Sequence, residues 1–430
     1  MIPFSMWPIG YPTLIAIVSL VSGLNVFWSS KLLGIVLIAL IIHLLYRLTN
    51  ESIDLYATCI LLTPVTRTIH FTWSEAPFIT SLTALLYFSV KYVNKPSFFH
   101  LFGITISCIL AFLMRYIGIF TIPYLAVFAI YFFIKKSYKQ SFELFIATAI
   151  IFTFTQLYFM WNRIYSGHTT GIPRIDAPET VLENTIQLFK GLIQSINPIY
   201  NGPISNTLEG SIFIVSIIIL FCVILWLKPH IKSPVTILYQ DPLFNLSLLL
   251  AVGYFCTIIL SRFFYHFDSF TTRILFPALF FLWISVMRMF DQLISESEKN
   301  YLRKGLIFIL IASIGYQIAS MLYRVSINQI YLKIVETELQ RYNSVPNFSL
   351  VAHMSPIIIY QRPDLVVSWT YCKIRPETIS KYLARVKSPN GKIYLDTKYL
   401  PPGCPEFDKI KQSSNNALIN ISEINSGLNN

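Results

Sequence analysis

Residues 98–136 read FFHLFGITISCILAFLMRYIGIFTIPYLAVFAIYFFIKK: two apolar runs, 98–114 and 117–134, with Arg115 and Tyr116 between them and Lys135 and Lys136 beyond. At 1.5 Å per residue each run comes close to the roughly 30 Å needed to cross a bilayer core. Charge falls only at the turns. That is the layout of a membrane hairpin, and the chain repeats it on both sides.

Towards the N-terminus, similar runs fall at 30–48, 54–71 and 76–93; towards the C-terminus, at 141–160, 210–227, 243–260, 274–290 and 305–323. The run 12–27 is broken by Ser19, Ser22, Gly23 and Asn25 and reads as an interfacial helix. About ten transmembrane helices are therefore expected. Of the 430 residues 54% are hydrophobic and 13% charged, where a soluble domain carries about 25% charged residues. This excludes an ordinary cytosolic enzyme and a disordered or fibrous chain. The expected fold class is an all-α polytopic membrane protein with a small α/β domain at its C-terminus.

The net charge of +12 does not call for nucleic acid, because the basic residues sort by loop. One alternate set of loops holds Arg47, Lys91, Lys95, Lys135, Lys136, Lys139, Lys228, Lys232, Arg288, Lys299, Arg303 and Lys304. The opposite set is poor in them: the turn 72–75 has none, and the turn near 115 has only Arg115. Positive loops stay in the cytoplasm. The N-terminus, the loops 161–209 and 261–273, and the tail from about 324 are then expected to face outward across the plasma (inner) membrane.

The domain plan is a polytopic domain over 1–323, an extracytoplasmic domain over 324–410 with strands at Ile357–Tyr360 and Leu365–Trp369, and a disordered Asn- and Ser-rich tail over 411–430. Within loop 161–209, residues 178–196 place apolar side chains at helical spacing, as in a helix lying on the membrane surface. Cys372 and Cys404 could pair if the tail is extracytoplasmic. Neither the cysteines nor the seven histidines make a zinc-like spacing, so no metal ligands are assigned.

Four outward clusters carry the polar chemistry. Trp7-Pro8-Ile9-Gly10-Tyr11-Pro12 fixes a tight path with aromatic groups suited to the headgroup layer, and an aromatic membrane anchor is its plainest reading. Trp73-Ser74-Glu75-Ala76-Pro77 places a lone carboxylate at a helix start, where the dipole favours an acid. Met114-Arg115-Tyr116-Ile117-Gly118 sets an arginine between two apolar runs, to snorkel or to grip a phosphate. Asp268 stands five residues before Arg273, in Phe267–Pro277, and the bland account of that pair is a local loop clamp. Arg67 adds a further positive group on this side.

In their order, Trp7-Pro8-x-Gly10-Tyr11-Pro12, Trp73-Ser74-Glu75, Arg115-Tyr116-x-Gly118 and Arg273-x-Leu275-x-Pro277 resemble the bacterial membrane glycosyltransferases of the GT-C superfold, in the protein mannosyltransferase-like and aminoarabinose transferase-like branch. The likeness covers roughly residues 5–290, and Asn343-Ser344-Val345-Pro346 leading into Ile358-Ile359-Tyr360 resembles the outer C-terminal segment of many members. It implies a polyprenyl-phosphate sugar donor used on the outer face of the membrane. An acceptor hydroxyl would attack the anomeric carbon, usually with inversion. Arg115 and Arg273 would be partners of the donor phosphate or of a carboxylate, Glu75 would be the catalytic, acceptor-side or structural acid, and Trp7, Tyr11, Trp73 and Asp268 would shape the loops. No cofactor is implied, and a divalent cation at Glu75 is left open; the other partners are membrane lipids and an unspecified acceptor.

One departure stands out. The family's catalytic Asp follows a first transmembrane helix and precedes the Trp-Pro-x-Gly-Tyr-Pro segment, whereas only Met1-Ile2-Pro3-Phe4-Ser5-Met6 precede it here. An N-terminally truncated chain of impaired activity is the resulting expectation. Two other classes compete with the glycosyltransferase: a surface-polysaccharide polymerase or ligase, which shares the donor chemistry, and a transporter or flippase. The last usually needs ionisable residues near mid-membrane, and the apolar runs offer few.

Overall fold

The computed structural model describes residues 8–49, 56, 74–170, 179–196, 240–265, 270–293, 304 and 340, together with four short strands at 350–352, 366–368, 393–396 and 418–420. Two compact units divide the chain, Met1–Gln317 and Ile318–Asn430.

The first unit contains α1 (Gly10–Ser22), α2 (Val26–Thr49), α3 (Glu75–Asn94), α4 (Phe98–Met114), a short 3-10 turn (Tyr116–Phe120) running into α5 (Thr121–Ile134), α6 (Tyr138–Ser166), α7 (Val181–Ile196), α8 (Pro242–Phe264) and α9 (Thr272–Leu293). Local chemistry sets several of these boundaries. Gly23 ends α1 in a left-handed conformation (φ 68°), open to glycine without strain, and its N–H donates to the Ser19 carbonyl at 2.9 Å. Asn25 Oδ1 accepts from the Trp28 N–H at 3.0 Å as α2 begins. Asp241 Oδ1 caps α8 through the Phe244 N–H at 2.8 Å, with Pro242 in the first turn.

Among the described residues, six helical stretches are long and apolar enough to cross a membrane: Val26–Thr49, Glu75–Asn94, Tyr116–Ile134, Tyr138–Tyr165, Pro242–Phe264 and Arg273–Leu293. Six of the expected runs fall within them. The run 98–114 coincides with α4, which at 17 residues is shorter than these. The expected runs 54–71, 210–227 and 305–323 lie outside the described residues. The 12–27 segment forms the 13-residue α1, about 20 Å long and too short to span.

Burial runs opposite to that of a soluble bundle. On α2 the buried residues are Ser29, Ser30, Leu33, Leu37, Ile41 and Leu45, essentially one stripe, while Ile35, Val36 and Leu40 on its other faces are exposed. A helix apolar all round yet buried on one stripe has lipid as its solvent. The chain is an integral membrane protein.

Helix α3 lies at the centre of the unit and packs against α2, α4 and α8. Its buried Thr80, Ser81 and Thr83 hydroxyls each donate to the carbonyl four residues earlier, at 2.8 Å, so the hydroxyl protons are satisfied without leaving the helix. Between helices, Tyr254 donates to the Ile274 carbonyl at 3.0 Å, and the buried Ser247 and Ser285 hydroxyls pair at 2.7 Å. At the C-terminal end of α3, Tyr92 donates to Glu143 of α6 at 2.5 Å. Helix α9 carries Pro277 within its first turns, which removes the donor that the Arg273 carbonyl would otherwise meet.

In the second unit the strands β1 (Leu350–Ala352), β2 (Val366–Ser368), β3 (Ile393–Asp396) and β4 (Leu418–Asn420) form one sheet in the order β2-β1-β3-β4. The β1–β2 and β1–β3 pairs are parallel and β3–β4 is antiparallel. Strand β2 falls within the expected strand 365–369; the expected strand 357–360 lies outside the described residues. Strand β4 is a correction, because it belongs to the stretch expected to be disordered. Leu418 and Ile419 gain backbone partners from Asp396 and Leu395, which outweighs the polar composition around them.

Candidate functional site

Three elements meet at one end of the first unit. Glu75 is the first residue of α3, Arg115 caps the C-terminus of α4, and Arg273 lies in the first turn of α9. Arg115 Nη1 donates to Glu75 Oε1, and Arg273 Nε donates to the same oxygen at 2.5 Å. The carboxylate is wholly buried, and the Arg115 and Arg273 side chains are only 13% and 22% exposed. Glu75 Oε2 is buried without a hydrogen-bond partner. The Arg115 guanidinium also stands 6.0 Å from the centre of the Phe78 ring, which packs on Tyr254.

Arg115 does not snorkel; it turns into the bundle towards a buried acid. Arg273 meets Glu75, from a distant part of the sequence; Asp268 lies outside the described residues, as do Trp7, Trp73 and Arg67. Glu75 does open a helix, as the dipole reading has it, and it also holds two arginines.

Two glycines of the motifs are fixed by close approach. A Cβ on Gly118 would lie 2.5 Å from the Ala111 carbonyl carbon, so the turn after Arg115 folds back on α4 only with glycine there. A Cβ on Gly10 would lie 2.6 Å from the Leu113 carbonyl oxygen, which seats the N-terminal segment on the same end of α4. The Ile9 N–H donates to the Tyr158 hydroxyl at 3.2 Å, and Tyr158 packs on Phe112 and Tyr116. Asn162 completes this wall by donating to the Tyr116 hydroxyl at 2.9 Å. Tyr11 joins the site from α1: burial, and secondarily the negative charge of Glu75, push its phenol up to about 12. Tyr11 thus stays protonated beside the acid at neutral pH.

A second polar group on α8 was missed in the sequence. Arg262, near the C-terminal end of α8, is 1% exposed and donates to Glu179 Oε1 at 2.6 Å, with Gln187 Oε1 of α7 at 3.5 Å. A charge set directly after the apolar run 243–260 was the available signal. At the opposite end of the unit, Arg288 donates to Asp241 Oδ2 at 2.7 and 2.9 Å and to Asp291 at 2.9 Å. Arg288, expected among the loop charges, sits inside α9 and joins α9 to the start of α8. Among the described residues no group of three or more His, Cys, Asp or Glu side chains could hold a metal ion.

The fold and site together define a polytopic membrane protein with paired arginines on a buried carboxylate at one end of its helices. No protein-family model matches the chain, and no curated protein matches it by sequence. A solved structure that it is similar to is the crystal structure of ArnT from Cupriavidus metallidurans bound to undecaprenyl phosphate, with 12% identity, 92% of this chain and 84% of that chain covered, and a TM-score of 0.47.

Proposed function

We propose that the chain is a membrane glycosyltransferase, moving a sugar from a polyprenyl-phosphate-linked donor to an acceptor hydroxyl on the outer face of the membrane. The convergence of Arg115 and Arg273 on one oxygen of a buried glutamate carries this reading. Guanidinium forks are the side chains best shaped to hold a phosphodiester through paired N–H···O bonds. Glu75 keeps both forks aimed before the substrate arrives, so little reorganisation is needed when the phosphate docks.

The acceptor oxygen attacks the anomeric carbon, the bond from that carbon to the phosphate oxygen breaks, and polyprenyl phosphate leaves with the electron pair. The acceptor proton goes to a nearby base. Glu75 Oε2, free of both arginines, is the atom of this site able to take it or to orient the hydroxyl. The arginines stabilise the charge that grows on the departing phosphate. The expected outward placement of the basic-poor loops puts this end at the outer leaflet, where lipid-linked sugars are consumed.

The test is reconstitution of the full chain in liposomes with radiolabelled undecaprenyl-phosphate sugars and a membrane lipid extract as acceptor. Transfer that disappears in Arg115→Met and Arg273→Met, together with loss of undecaprenyl phosphate binding, supports the reading. Binding that both variants retain at wild-type strength sinks it. Movement of the lipid across the bilayer with no transfer would favour a flippase instead.

A further inference from the structure

Helix α7 is apolar on its outer side and mixed on its inner side. Its exposed face carries Val181, Leu182, Ile186 and Phe189, between 46% and 69% exposed, while its inward face sets Asn184, Gly191 and Ser195 among Leu188 and Leu192, which pack on the core. Helix formation is well specified: Thr180 and Glu183 make a capping box, with the Thr180 N–H donating to Glu183 Oε2 at 2.8 Å and the Glu183 N–H to Thr180 Oγ1 at 3.2 Å. The orientation is fixed too. A Cβ on Gly191 would lie 1.8 Å from the Phe270 carbonyl oxygen, so α7 presses backbone to backbone on the segment that leads into Arg273.

A helix lying in the lipid interface turns its apolar face to acyl chains. The polar residues of the inward side then look to Arg262 and Glu179, with Gln187 in contact with Arg262. Asn184 lies on this face, one turn before Gln187, and is 2% exposed with both its amide nitrogen and its amide oxygen lacking any hydrogen-bond partner. An amide with a free donor and a free acceptor, beside a guanidinium and a carboxylate, has the composition that binds vicinal hydroxyl groups. Such a buried polar group costs stability unless something pairs with it.

We propose that the inward face of α7, with Asn184, Gln187, Glu179 and Arg262, is a second subsite that binds the polyhydroxylated part of a substrate, apart from the phosphate held at Glu75. Arg262 follows Tyr254 along α8 by about 12 Å at 1.5 Å per residue, and Tyr254 packs on Phe78 beneath Arg115. The subsite therefore lies further toward the end of the bundle than the arginine pair. The apolar outer face of α7 separates it from lipid. Its occupant is the donor sugar or the acceptor glycan; assignment to the donor rests on the glycosyltransferase reading, whereas glycan binding as such does not.

The experiment compares the full-length wild type with Asn184→Leu in lipid nanodiscs. Native mass spectrometry is run with undecaprenyl phosphate, undecaprenyl-phosphate hexoses and pentoses, and millimolar methyl glycosides of the same sugars. A loss of at least tenfold in affinity for the sugar-bearing lipids, with undecaprenyl phosphate unchanged, identifies the donor sugar as occupant. A comparable loss confined to methyl glycosides identifies the acceptor. Without sugar, Asn184→Leu is expected to raise Tm, since it removes an unpaired buried amide. Equal binding of every sugar by both proteins overturns the proposal and leaves a buried water as the partner of Asn184. An equal loss for lipids with and without sugar also overturns it. A wild type that fails to bind undecaprenyl phosphate but binds methyl glycosides through Asn184 would overturn the proposed function while upholding this subsite.

Discussion

Arg273 reaches across 198 positions of sequence to the same Glu75 oxygen that Arg115 holds. Three helices are locked at one end by this shared atom, and the arrangement answers differently to each way of removing a member.

Replacing Glu75 with Gln leaves two guanidiniums converging on an uncharged amide inside the bundle. Breaking a buried ion pair from one side costs about 3–5 kcal/mol, because the remaining charge loses its compensation. Glu75→Gln is expected to lower Tm in detergent, and combining it with Arg273→Met should recover part of the loss. If the single variant unfolds like the wild type, the knot does not support the fold.

Arg115→Lys and Arg273→Lys keep the charge but lose the planar fork. Each is expected to weaken undecaprenyl phosphate binding about tenfold or more, since a lysine contacts phosphate as a point charge. Binding measured in nanodiscs decides this, with Arg288→Met as the control. That variant should lose about 3–5 kcal/mol of stability through its buried acids at the opposite end, while its lipid affinity stays at the wild-type value.

Gly118→Ala and Gly10→Ala test the close approaches to α4. A methyl group placed 2.5 Å from the Ala111 carbonyl carbon, or 2.6 Å from the Leu113 oxygen, meets backbone that has nowhere to move. Overpacking of this kind costs about 1–3 kcal/mol, and both variants should melt earlier. For Gly118→Ala, the displaced Arg115 should also weaken phosphate binding.

Tyr11 gives a pH signature. Its folded pKa is raised to about 12 from an ordinary 10.0, so between these values the unfolded chain releases the phenolic proton while the folded chain keeps it. The stabilisation is complete below pH 10 and falls away as pH rises toward 12. Tyr11→Phe should therefore lose Tm less steeply than the wild type across that interval, as read by thermal melts at stepped alkaline pH. Parallel slopes would mean that Tyr11 is not buried against Glu75.

Much of the site was legible as types and order, little of it as contacts. Glu75, Arg115 and Arg273 each stood out because a charge at the edge of an apolar run needs a reason. Nothing in their spacing shows that one carboxylate oxygen serves both arginines, because that depends on how α3, α4 and α9 pack. Arg273 illustrates the limit: its bond to Glu75 spans 198 positions, and no local pattern announces it. Helix 178–196 was readable from its period, but the burial of Asn184 on its inward side was not, since periodicity gives two faces without saying which one meets protein. Arg288 misled in the other direction, as a cation assigned to topology that is buried in an ion-pair network.

Helix α9 is held at both ends, by Arg273 on Glu75 and by Arg288 on Asp241, clamps about 22 Å apart along its axis at 1.5 Å per residue. In mechanical terms it is a beam fixed at each support. It can neither roll about its axis nor slide without tearing one of them. The compliant point is the ladder gap at Pro277, one turn from the Glu75 support. Movement of Arg273 on ligand binding therefore takes the form of a local flexure of the first turn, with the long remainder of the helix acting as a stationary anchor.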